Sequence, residues 1–332
     1  MVTSVVKTAI MMQFVSFLNL YIMERIPIVF SFDDNLEIPA IVCITSLLQN
    51  VHSETYYEIY ILHPKGCLND KSRFMELRSH FNQFEIDFIE VDSIFNEAYQ
   101  VRGITSPTYY RLLIPHLLAD YDKVIYSDVD VIFRSDLKLV YQTYLNEEYI
   151  AATEDLGMML TDDGRKHMKS LGLSPGESYY QAGFILMNCK KMREDGVVDT
   201  FIKFAKHQYK YQDQDILNIV CKKKCKLLPM KYNMTDYVYT FIFEQHNYFN
   251  NMSDEEINEA LCTGTIHYNG HKPWKKYSLN FDIWWEQYRN SVVYDNSYYF
   301  DFFHKKVDLY DRLPLWKRVK ILVRYFIYGR LK

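Results

Sequence analysis

Two aspartates one residue apart, Asp128 and Asp130, are the residues whose types and spacing first suggest chemistry in this chain. They lie in the apolar run KVIYSDVDVIF at residues 123–133, which predicts a strand that places both carboxylates at its end. Because side chains alternate along a strand, residues two apart point the same way, and the two carboxylates would converge. A divalent cation, a nearby arginine or simple solvation can offset their repulsion. A solvated turn is the commonest meaning of an isolated Asp-x-Asp, so the surrounding elements have to decide.

Strand-like and helix-like segments alternate ahead of this pair. Residues 26–32, 57–63 and 85–91 are predicted strands, and residues 36–50 and 69–80 are predicted helices. This alternation favours a mostly parallel α/β sheet. Ligands of such sheets bind beyond the carboxyl ends of the strands, where Asp33, Asp34 and Asn35 also fall. The order of the elements therefore favours a ligand-binding role for the aspartates.

The elements around and after the aspartates are less regular. A helix is predicted to begin with Ser106 as its N-cap and Pro107 in its first position, and Pro115 is expected to kink or end it. The runs EYIAATED and AGFILMNC predict buried strands, YQDQDILNIV opens a helix, and GTIHYNG predicts a late strand that enters a turn. Residues 232–252 follow no strong period, and we expect an irregular binding region or a surface excursion there.

Composition and charge narrow the class of protein. The chain has 332 residues, of which 48% are apolar, and a net charge of −4, which is ordinary for a globular protein with a sizeable core. Residues 312–332 contain seven basic and no acidic residues, which leaves −11 for the remainder. An acidic body does not suggest a nucleic-acid-binding fold. The basic tail is instead expected to meet an anionic surface.

The six cysteines do not indicate a disulfide framework or a zinc site. Cys221 and Cys225 form the only close pair, and a structural zinc site usually needs two such pairs. Completion of a site by Cys262 and His267 is disfavoured. We expect reduced thiols, which are typical of the cytosol.

The N-terminal run AIMMQFVSFLNLYIM at residues 9–23 is apolar but short. Its fifteen residues fall below the roughly 20 that span a bilayer. Polar residues recur at every third position and would give a helix a polar stripe. An interfacial helix, or a true start at Met23, is favoured over a signal anchor, and residues 1–25 are treated as an extension outside the catalytic fold.

Two chemistries use a strand that ends in Asp-x-Asp. In one class of phosphohydrolases the first aspartate is a phosphoryl nucleophile, but there the motif usually opens the core and a late acidic pair follows. Here three predicted strands precede the motif, and Asp162 and Asp163 follow it too soon. The other chemistry holds a divalent metal on the diphosphate of a nucleotide sugar.

Six motifs in order favour the second chemistry. The sequence contains FSFDDN, TYYRL, YSDVDV, YYQAGFILMN, YQDQDILN and HYNGHKPW. Together they resemble the retaining glycosyltransferases of family eight, which include bacterial lipopolysaccharide galactosyl- and glucosyltransferases and glycogenin relatives. The resemblance covers residues 26–287. It implies an α/β fold of the GT-A type at residues 26–290, a single nucleotide-sugar-binding domain with a mostly parallel, Rossmann-like sheet, followed by a helical, basic tail at 291–332.

The resemblance also implies a metal site and a diphosphate site. Asp128, Asp130 and His267 would hold Mn²⁺ or Mg²⁺, and the histidine nitrogen shifts the preference toward Mn²⁺. The backbone at Gly270 would approach the diphosphate closely, and Lys272 would meet its charge. Only His271 separates these two residues, a shorter connection than in the closest lipopolysaccharide relatives.

The same resemblance assigns residues to the donor. Ser31, Asp33 and Asn35 would line the pocket for uracil and ribose. Arg111, with Asp128, would contact the donor sugar and the diphosphate. The donor sugar would also meet three consecutive residues where relatives often have Asn-Ala-Gly. These are Gln181, Ala182 and Gly183.

Catalytic roles are implied for three further residues. Asp213 would bind donor hydroxyls, and Gln214 would face the anomeric carbon. An amide is a poor nucleophile, so front-face departure of the leaving group is favoured, with the Gln214 carbonyl stabilising positive charge. Asp155 would contact the acceptor, a place for which Glu154 competes.

The expected protein is a metal-dependent retaining hexosyltransferase that uses a UDP-hexose and a saccharide or glycolipid acceptor. Galactose and glucose are the favoured sugars, and a lipopolysaccharide or another cell-surface glycan is the expected acceptor. No nucleic-acid partner is expected. The basic, aromatic tail suits an anionic leaflet, so we expect peripheral association with the inner face of the cell membrane, whereas a helix packed on the body is its alternative. A non-catalytic nucleotide-sugar-binding relative is the competing class.

Overall fold

The computed structural model describes residues 23–92, Phe95, 106–174 and 176–328. The strands are β1 Glu24–Ser31, β2 Thr55–Pro64, β3 Phe84–Val91, β4 Val124–Ser127, β5 Val131–Ile132, β6 Ile150–Glu154, β7 Tyr180–Met187, β8 Cys225–Leu227, β9 Met234–Thr235 and β10 Ile266–His267. The helices are α1 Glu37–Gln49, α2 Ser72–Glu76, α3 Pro107–Tyr110, α4 Ile114–Leu117, α5 Lys138–Tyr141, α6 Leu156–Leu160, α7 Asp162–Ser170, α8 Cys189–Glu194, α9 Val197–Ala205, α10 Gln212–Cys221, α11 Asp236–Phe243, α12 Asp254–Thr263, α13 Phe281–Arg289, α14 Asn296–Asp311 and α15 Leu315–Tyr328.

Within the described residues, seven strands form a central sheet in the order β3-β2-β1-β4-β7-β6-β8. The pairs β3–β2, β2–β1, β1–β4 and β6–β8 are parallel, and β7 runs antiparallel to both of its neighbours. A smaller sheet pairs β5, β10 and β9. The predicted α/β class with a mostly parallel central sheet is confirmed.

The strand β1 is an interior strand of the central sheet and is buried on both faces, as its nearly continuous apolar run predicts for a parallel strand. Ile28 and Phe30 pack in the core on one face, whereas Val29 packs in the core on the other. In the register of β1 with β4, Val29 lies opposite Tyr126. The residues that follow these two strands therefore meet at one edge of the sheet.

The strand predicted at residues 123–133 is shorter than expected. It ends at Ser127, and the chain leaves the central sheet through residues 128–130 before β5 joins the smaller sheet. The two aspartates therefore lie in the crossover between two sheets rather than on one continuous strand. Their carboxylates converge because of this turn, not because of strand alternation.

Other predicted elements also differ in extent. The helix predicted at 69–80 is reduced to α2 and a 3-10 turn at Leu77–Ser79. Ser106 has helical backbone angles (φ −50°, ψ −34°) and its side chain does not cap α3, while Pro115 lies in the first turn of the separate helix α4. Residues 232–252 contain β9, α11 and a 3-10 turn, so the expectation of an irregular region is wrong.

The C-terminal helices differ in how they pack. Phe302 and Phe303 of α14 contact the Trp285 ring of α13, with centroids 4.6 and 5.3 Å apart. In α15, by contrast, Leu315 and Trp316 are 77% and 62% exposed. The predicted domain boundaries at residues 25 and 290 stay predictions.

Among the described residues, no helix is both long and apolar enough to cross a membrane. The N-terminal run at residues 9–22, with its predicted interfacial helix, lies outside the described residues. All six cysteines are free thiols, three of them buried.

Candidate active site

Two carboxylates and one imidazole converge at the crossover between the sheets. The backbone N–H of Asp128 donates to the carbonyl of Gly183 at 2.9 Å, which anchors the turn to β7. The strand β10 pairs with β5 and places His267 opposite Val131. One ligand atom from each of Asp128, Asp130 and His267 lies within 4.8 Å of the others. This is the group that the sequence predicts as the metal site.

The imidazole of His267 is buried, and its two nitrogens face different partners. Its Nδ1 lies 2.8 Å from Oδ1 of Asn233, and its Nε2 faces Oδ1 of Asp130 at 3.3 Å and Oδ2 of Asp128 at 3.9 Å. Burial alone would raise the pKa of Asp130, but neighbouring positive charge, chiefly that of Lys272, outweighs it and holds that pKa well below its usual range. Asp130 is therefore ionised, which is the state a metal ligand needs.

Lys272 contacts the metal group, which is the set Asp128, Asp130 and His267. It does so although only His271 separates it from Gly270. Its Nζ forms an ion pair with Asp130 and donates to the carbonyl of Tyr268 at 2.6 Å. A Cβ atom at Gly270 would come within 2.5 Å of Oδ2 of Asp236. The carboxylate of Asp236 therefore leaves no room for a side chain at position 270, which explains the glycine there.

Arg111 is a buried cation that connects two acidic residues. Its Nη2 contacts Oδ1 of Asp128 at 2.8 Å, its Nε contacts Oδ2 of Asp213 at 3.0 Å, and its Nη1 donates to the carbonyl of Ala182 at 2.5 Å. The guanidinium also stacks on Tyr126, 4.3 Å from the ring centroid. Burial would lower the pKa of Arg111, but the two carboxylates more than compensate and raise it. The residue predicted to contact the donor therefore also orients the surrounding acids.

Asp213 lies at the start of α10 and is buried. Its Oδ1 accepts a hydrogen bond from Thr108 at 3.2 Å. Burial raises the pKa of Asp213 to about 6, Arg111 opposes this shift, and the charge of Asp128 adds to it. The carboxyl group is thus sensitive to any change in its partner Arg111.

Asp155, Gln181 and Gln214 form one hydrogen-bonded network. Oδ2 of Asp155 accepts from Nε2 of Gln181 at 2.7 Å and from Nε2 of Gln214 at 3.0 Å. The other end of the Gln214 amide, Oε1, accepts from the backbone N–H of Ala182 at 3.0 Å. Burial is the main cause of the raised pKa of Asp155. Both ends of the Gln214 amide are therefore fixed.

Asp155 and its competitor Glu154 contact different groups. Oδ1 of Asp155 accepts from the backbone N–H of Met158 at 3.1 Å and so caps α6. Glu154 accepts from the hydroxyl of Tyr248 at 2.6 Å and from that of Ser178. The structure therefore brings Asp155, and not Glu154, together with Gln214, while the acceptor role of Asp155 stays a prediction.

Gly183 lies where the site leaves no room for a side chain. A Cβ atom there would come within 2.3 Å of Cε1 of His267 and 2.9 Å of Oδ2 of Asp128. Any larger residue would have to displace part of the metal group.

The residues predicted for the nucleotide follow β1. The Ser31 hydroxyl donates to the carbonyl of Pro107 at 2.7 Å. The Asp33 side chain accepts from the backbone N–H of Asn35 at 3.0 Å, which starts a 3-10 turn at Asp34–Leu36, and Asn35 is exposed. These residues lie at the same edge of the sheet as Asp128, and their nucleotide roles stay predictions.

The family of the chain follows from a comparison with family sequence models. Residues 27–278 match the model of glycosyl transferase family 8. The chain belongs to glycosyl transferase family 8. The resemblance inferred from six motifs is therefore confirmed over most of the range assigned to it.

Named relatives of this family 8 member occur in several bacteria. A Haemophilus influenzae protein named only as a glycosyltransferase is 30% identical over 217 residues, which are 64% of either chain. A lipopolysaccharide 1,2-glucosyltransferase of Escherichia coli is 25% identical over 288 residues, 83% of this chain and 78% of its own.

Solved structures share the fold. The galactosyltransferase LgtC, solved in complex with donor and acceptor sugar analogs, matches 82% of this chain and 99% of its own with a TM-score of 0.68 and 24% identity. The bifunctional glycosyltransferase WbbM matches 84% of this chain and 51% of its own, with a TM-score of 0.66 and 25% identity.

Sequence reasoning missed Asp215 and Gln212 in this family 8 member. Asp215 is fully buried and accepts from Nε2 of His167 at 2.8 Å, from the Tyr179 hydroxyl at 2.5 Å and from the Tyr211 N–H at 2.9 Å. Gln212 has a left-handed backbone (φ +48°), which is uncommon outside glycine. The second aspartate of QDQD was the available signal for this network, whereas nothing in the sequence predicts a left-handed backbone at Gln212, the first residue of that run.

Proposed function

We propose that this chain transfers a hexose, galactose or glucose, from a UDP-sugar to a saccharide acceptor with retention of the anomeric configuration. The observation that carries the proposal is one juxtaposition. The group Asp128, Asp130 and His267 is connected through Arg111 to Asp213, the residue assigned to the donor sugar. The names of the Escherichia coli relative and of LgtC support a hexose donor and a saccharide acceptor.

A divalent cation fits the three ligands. If the proton of His267 is on Nδ1, where Asn233 accepts it, then Nε2 has none to donate, and the buried Oδ1 of Asp130 has no hydrogen-bond donor. Two carboxylate oxygens and one imidazole nitrogen form a donor set that suits Mn²⁺, with Mg²⁺ as the weaker alternative. When bound, the cation neutralises charge on the leaving diphosphate.

The remaining residues have separate roles in the proposed reaction. Lys272 binds a diphosphate oxygen, while Arg111 keeps Asp213 ionised beside the donor hydroxyls. The acceptor oxygen bonds to the anomeric carbon on the face from which the diphosphate oxygen departs, and the acceptor proton passes to the departing diphosphate. The carbonyl of Gln214 stabilises the positive charge that develops on the sugar. Asp155 orients the Gln214 amide, and its carboxylate accepts a hydrogen bond from a hydroxyl of the acceptor saccharide.

The nucleotide would lie at the end of β1. Ser31 lines the pocket there, and Asp33 and Asn35 bind uracil and ribose. Gln181, Ala182 and Gly183 border the donor sugar, and the backbone at Gly270 borders the diphosphate. This arrangement uses the edge of the sheet at which β1 and β4 both end.

The helix α15 is proposed to dock on an anionic membrane surface at the inner face of the cell membrane. Apolar side chains that are at least 47% exposed lie beside Lys317, Arg318 and Lys320. Such a mixture suits an interfacial helix, which would bring a lipid-linked acceptor to the active site.

A panel of UDP-hexoses tests the transferase against a non-catalytic binding relative. With Mn²⁺ and a saccharide acceptor, we expect UDP release with UDP-galactose or UDP-glucose, and NMR of the product should show the donor's own anomeric configuration. Failure to release UDP with any donor, with or without acceptor, would favour the binding module, since both classes bind UDP.

A further inference from the structure

The side chain of Asn233 contacts Nδ1 of the His267 imidazole, whereas Nε2 of the same ring faces Asp128 and Asp130. Asn233 ends the 3-10 turn Met230–Tyr232 and precedes β9, which pairs with β10. Its Oδ1 lies 2.8 Å from Nδ1 of His267, and both side chains are almost completely buried. The contact is therefore fixed by the smaller sheet and shielded from water.

The direction of this hydrogen bond decides what His267 can bind. When Oδ1 of Asn233 accepts, the imidazole proton is on Nδ1, and the lone pair of Nε2 faces Asp128 and Asp130. In the opposite direction, an N–H at Nε2 would point at the carboxylates and exclude a cation. A metal-binding histidine generally needs such a partner on its other nitrogen, since the partner sets both tautomer and ring orientation.

The rest of the Asn233 amide contributes little to folding. Its Nδ2 is buried and has no hydrogen-bond partner within the part of the chain that the structure describes. An unsatisfied buried donor is a cost to the folded state, and an apolar residue of similar shape would remove that cost. Stability therefore does not explain an asparagine at this position, whereas the acceptor Oδ1 does.

We infer that Asn233 is a positioning residue for a divalent cation, acting through His267 by accepting its Nδ1–H. The inference rests on the cation site of the proposed function. It adds a residue that binds neither the cation nor the sugar nucleotide, yet controls the affinity for the cation.

The test is a Mn²⁺ titration of the full chain without any sugar nucleotide, with free Mn²⁺ followed by electron paramagnetic resonance. Asn233→Leu should weaken Mn²⁺ binding by about 10- to 100-fold, whereas Asn233→Asp, which keeps the acceptor, should stay within about threefold of the parent or bind more tightly. In a His267→Ala background, Asn233→Leu should change the affinity no further.

A matched control is Asn188→Leu. The side chain of Asn188 caps α8 through the N–H of Lys191 and contacts no residue of the metal group in the described structure. Its loss should lower the melting temperature without affecting Mn²⁺ binding. Circular dichroism of every variant monitors folding, and Asn233→Ala replaces the leucine variant if that variant does not fold.

Two results would overturn the inference. One is a folded Asn233→Leu variant that binds Mn²⁺ as tightly as the parent, and the other is an equal loss with and without His267. Absence of Mn²⁺ binding in the parent would overturn the cation site together with the inference. A protein that binds Mn²⁺ in an Asn233-dependent manner but transfers no sugar would retain the inference and reject the proposed function.

Discussion

Arg111 and Asp213 form an ion pair, 3.0 Å from Nε to Oδ2, although both side chains are at least nine-tenths buried. A buried pair is weak support for stability, but removal of one partner leaves an uncompensated charge. Arg111→Met should therefore lower the free energy of unfolding by about 3–5 kcal/mol. Urea denaturation measures this change.

The matched control for that substitution is Arg165→Met, because the guanidinium of Arg165 is exposed, forms an ion pair with the surface residue Asp162 and donates to the carbonyl of Leu160. Its loss should cost about 1 kcal/mol or less. Addition of Asp213→Asn to Arg111→Met should recover part of the lost stability. An equal decrease in the free energy of unfolding for the two arginine substitutions would contradict a buried ion pair between Arg111 and Asp213.

The pH dependence of stability should reveal Asp213. Its pKa is raised to about 6 in the folded chain, against about 3.9 for an unfolded aspartate. The folded state therefore binds more protons between these values, and its stability falls as the pH rises from about 4 to about 6. Relative to Asp213→Asn, the parent should lose stability across this window. Urea denaturation at a series of pH values measures the free energy of unfolding of both proteins. A difference between the two free energies that stays constant from about pH 4 to about pH 6 would reject the raised pKa of Asp213.

Asp130→Ala should abolish metal-dependent transfer while the fold remains. The substitution removes one of two converging carboxylates, and the Lys272 side chain that loses its partner is partly exposed to water. UDP release with Mn²⁺ and the thermal unfolding curve measure the two effects. Asp162→Ala, which alters an exposed acid, is the control. Transfer by the parent that persists in EDTA would refute the metal assignment.

Gln214→Ala should slow turnover by about 100-fold, the usual cost of losing one preorganised electrostatic contact. The affinity for UDP should stay near that of the parent, because Gln214 contacts Asp155 and Ala182 rather than the residues assigned to the nucleotide. Steady-state kinetics and calorimetry with UDP separate the two effects. A large rise in the dissociation constant of UDP would move Gln214 to the nucleotide pocket. Gln142→Ala is the surface control.

Truncation before Arg312 should release the protein from anionic vesicles without ending transfer to a small soluble acceptor. Each basic residue near such a surface contributes about 1 kcal/mol at best, and attraction should weaken in 1 M salt, where the Debye length is about 3 Å. Co-sedimentation with phosphatidylglycerol vesicles measures binding. Insolubility, or inactivity even on the soluble acceptor, would make the tail part of the folded core. The N-terminal apolar run would then become the membrane candidate, and deletion of the residues before Met23 should abolish vesicle binding.

Local patterns were sufficient to predict most of the central sheet, without β8 and the antiparallel direction of β7, and the edge at which the candidate site residues lie. The nearly unbroken apolar run of β1 marks a strand buried on both faces, and alternation with helices marks parallel pairing. Where packing overrides the local pattern, prediction failed. The chain leaves the central sheet after Ser127, and residues 232–252 contain α11 and the strand β9, which pairs with the distant strand β10.

The sequence by itself determined which side chains were available for the site. The Asp-x-Asp pair, the QDQD run and the late HYNGHK run are local features, and each appears within a few residues. Only the tertiary structure decided which of them meet. Lys272 contacts Asp130 across 142 positions because β10 pairs with β5, and Asn233 reaches His267 because β9 lies beside β10. Neither contact has a local pattern, since long-range pairing is selected by the packing of the whole chain.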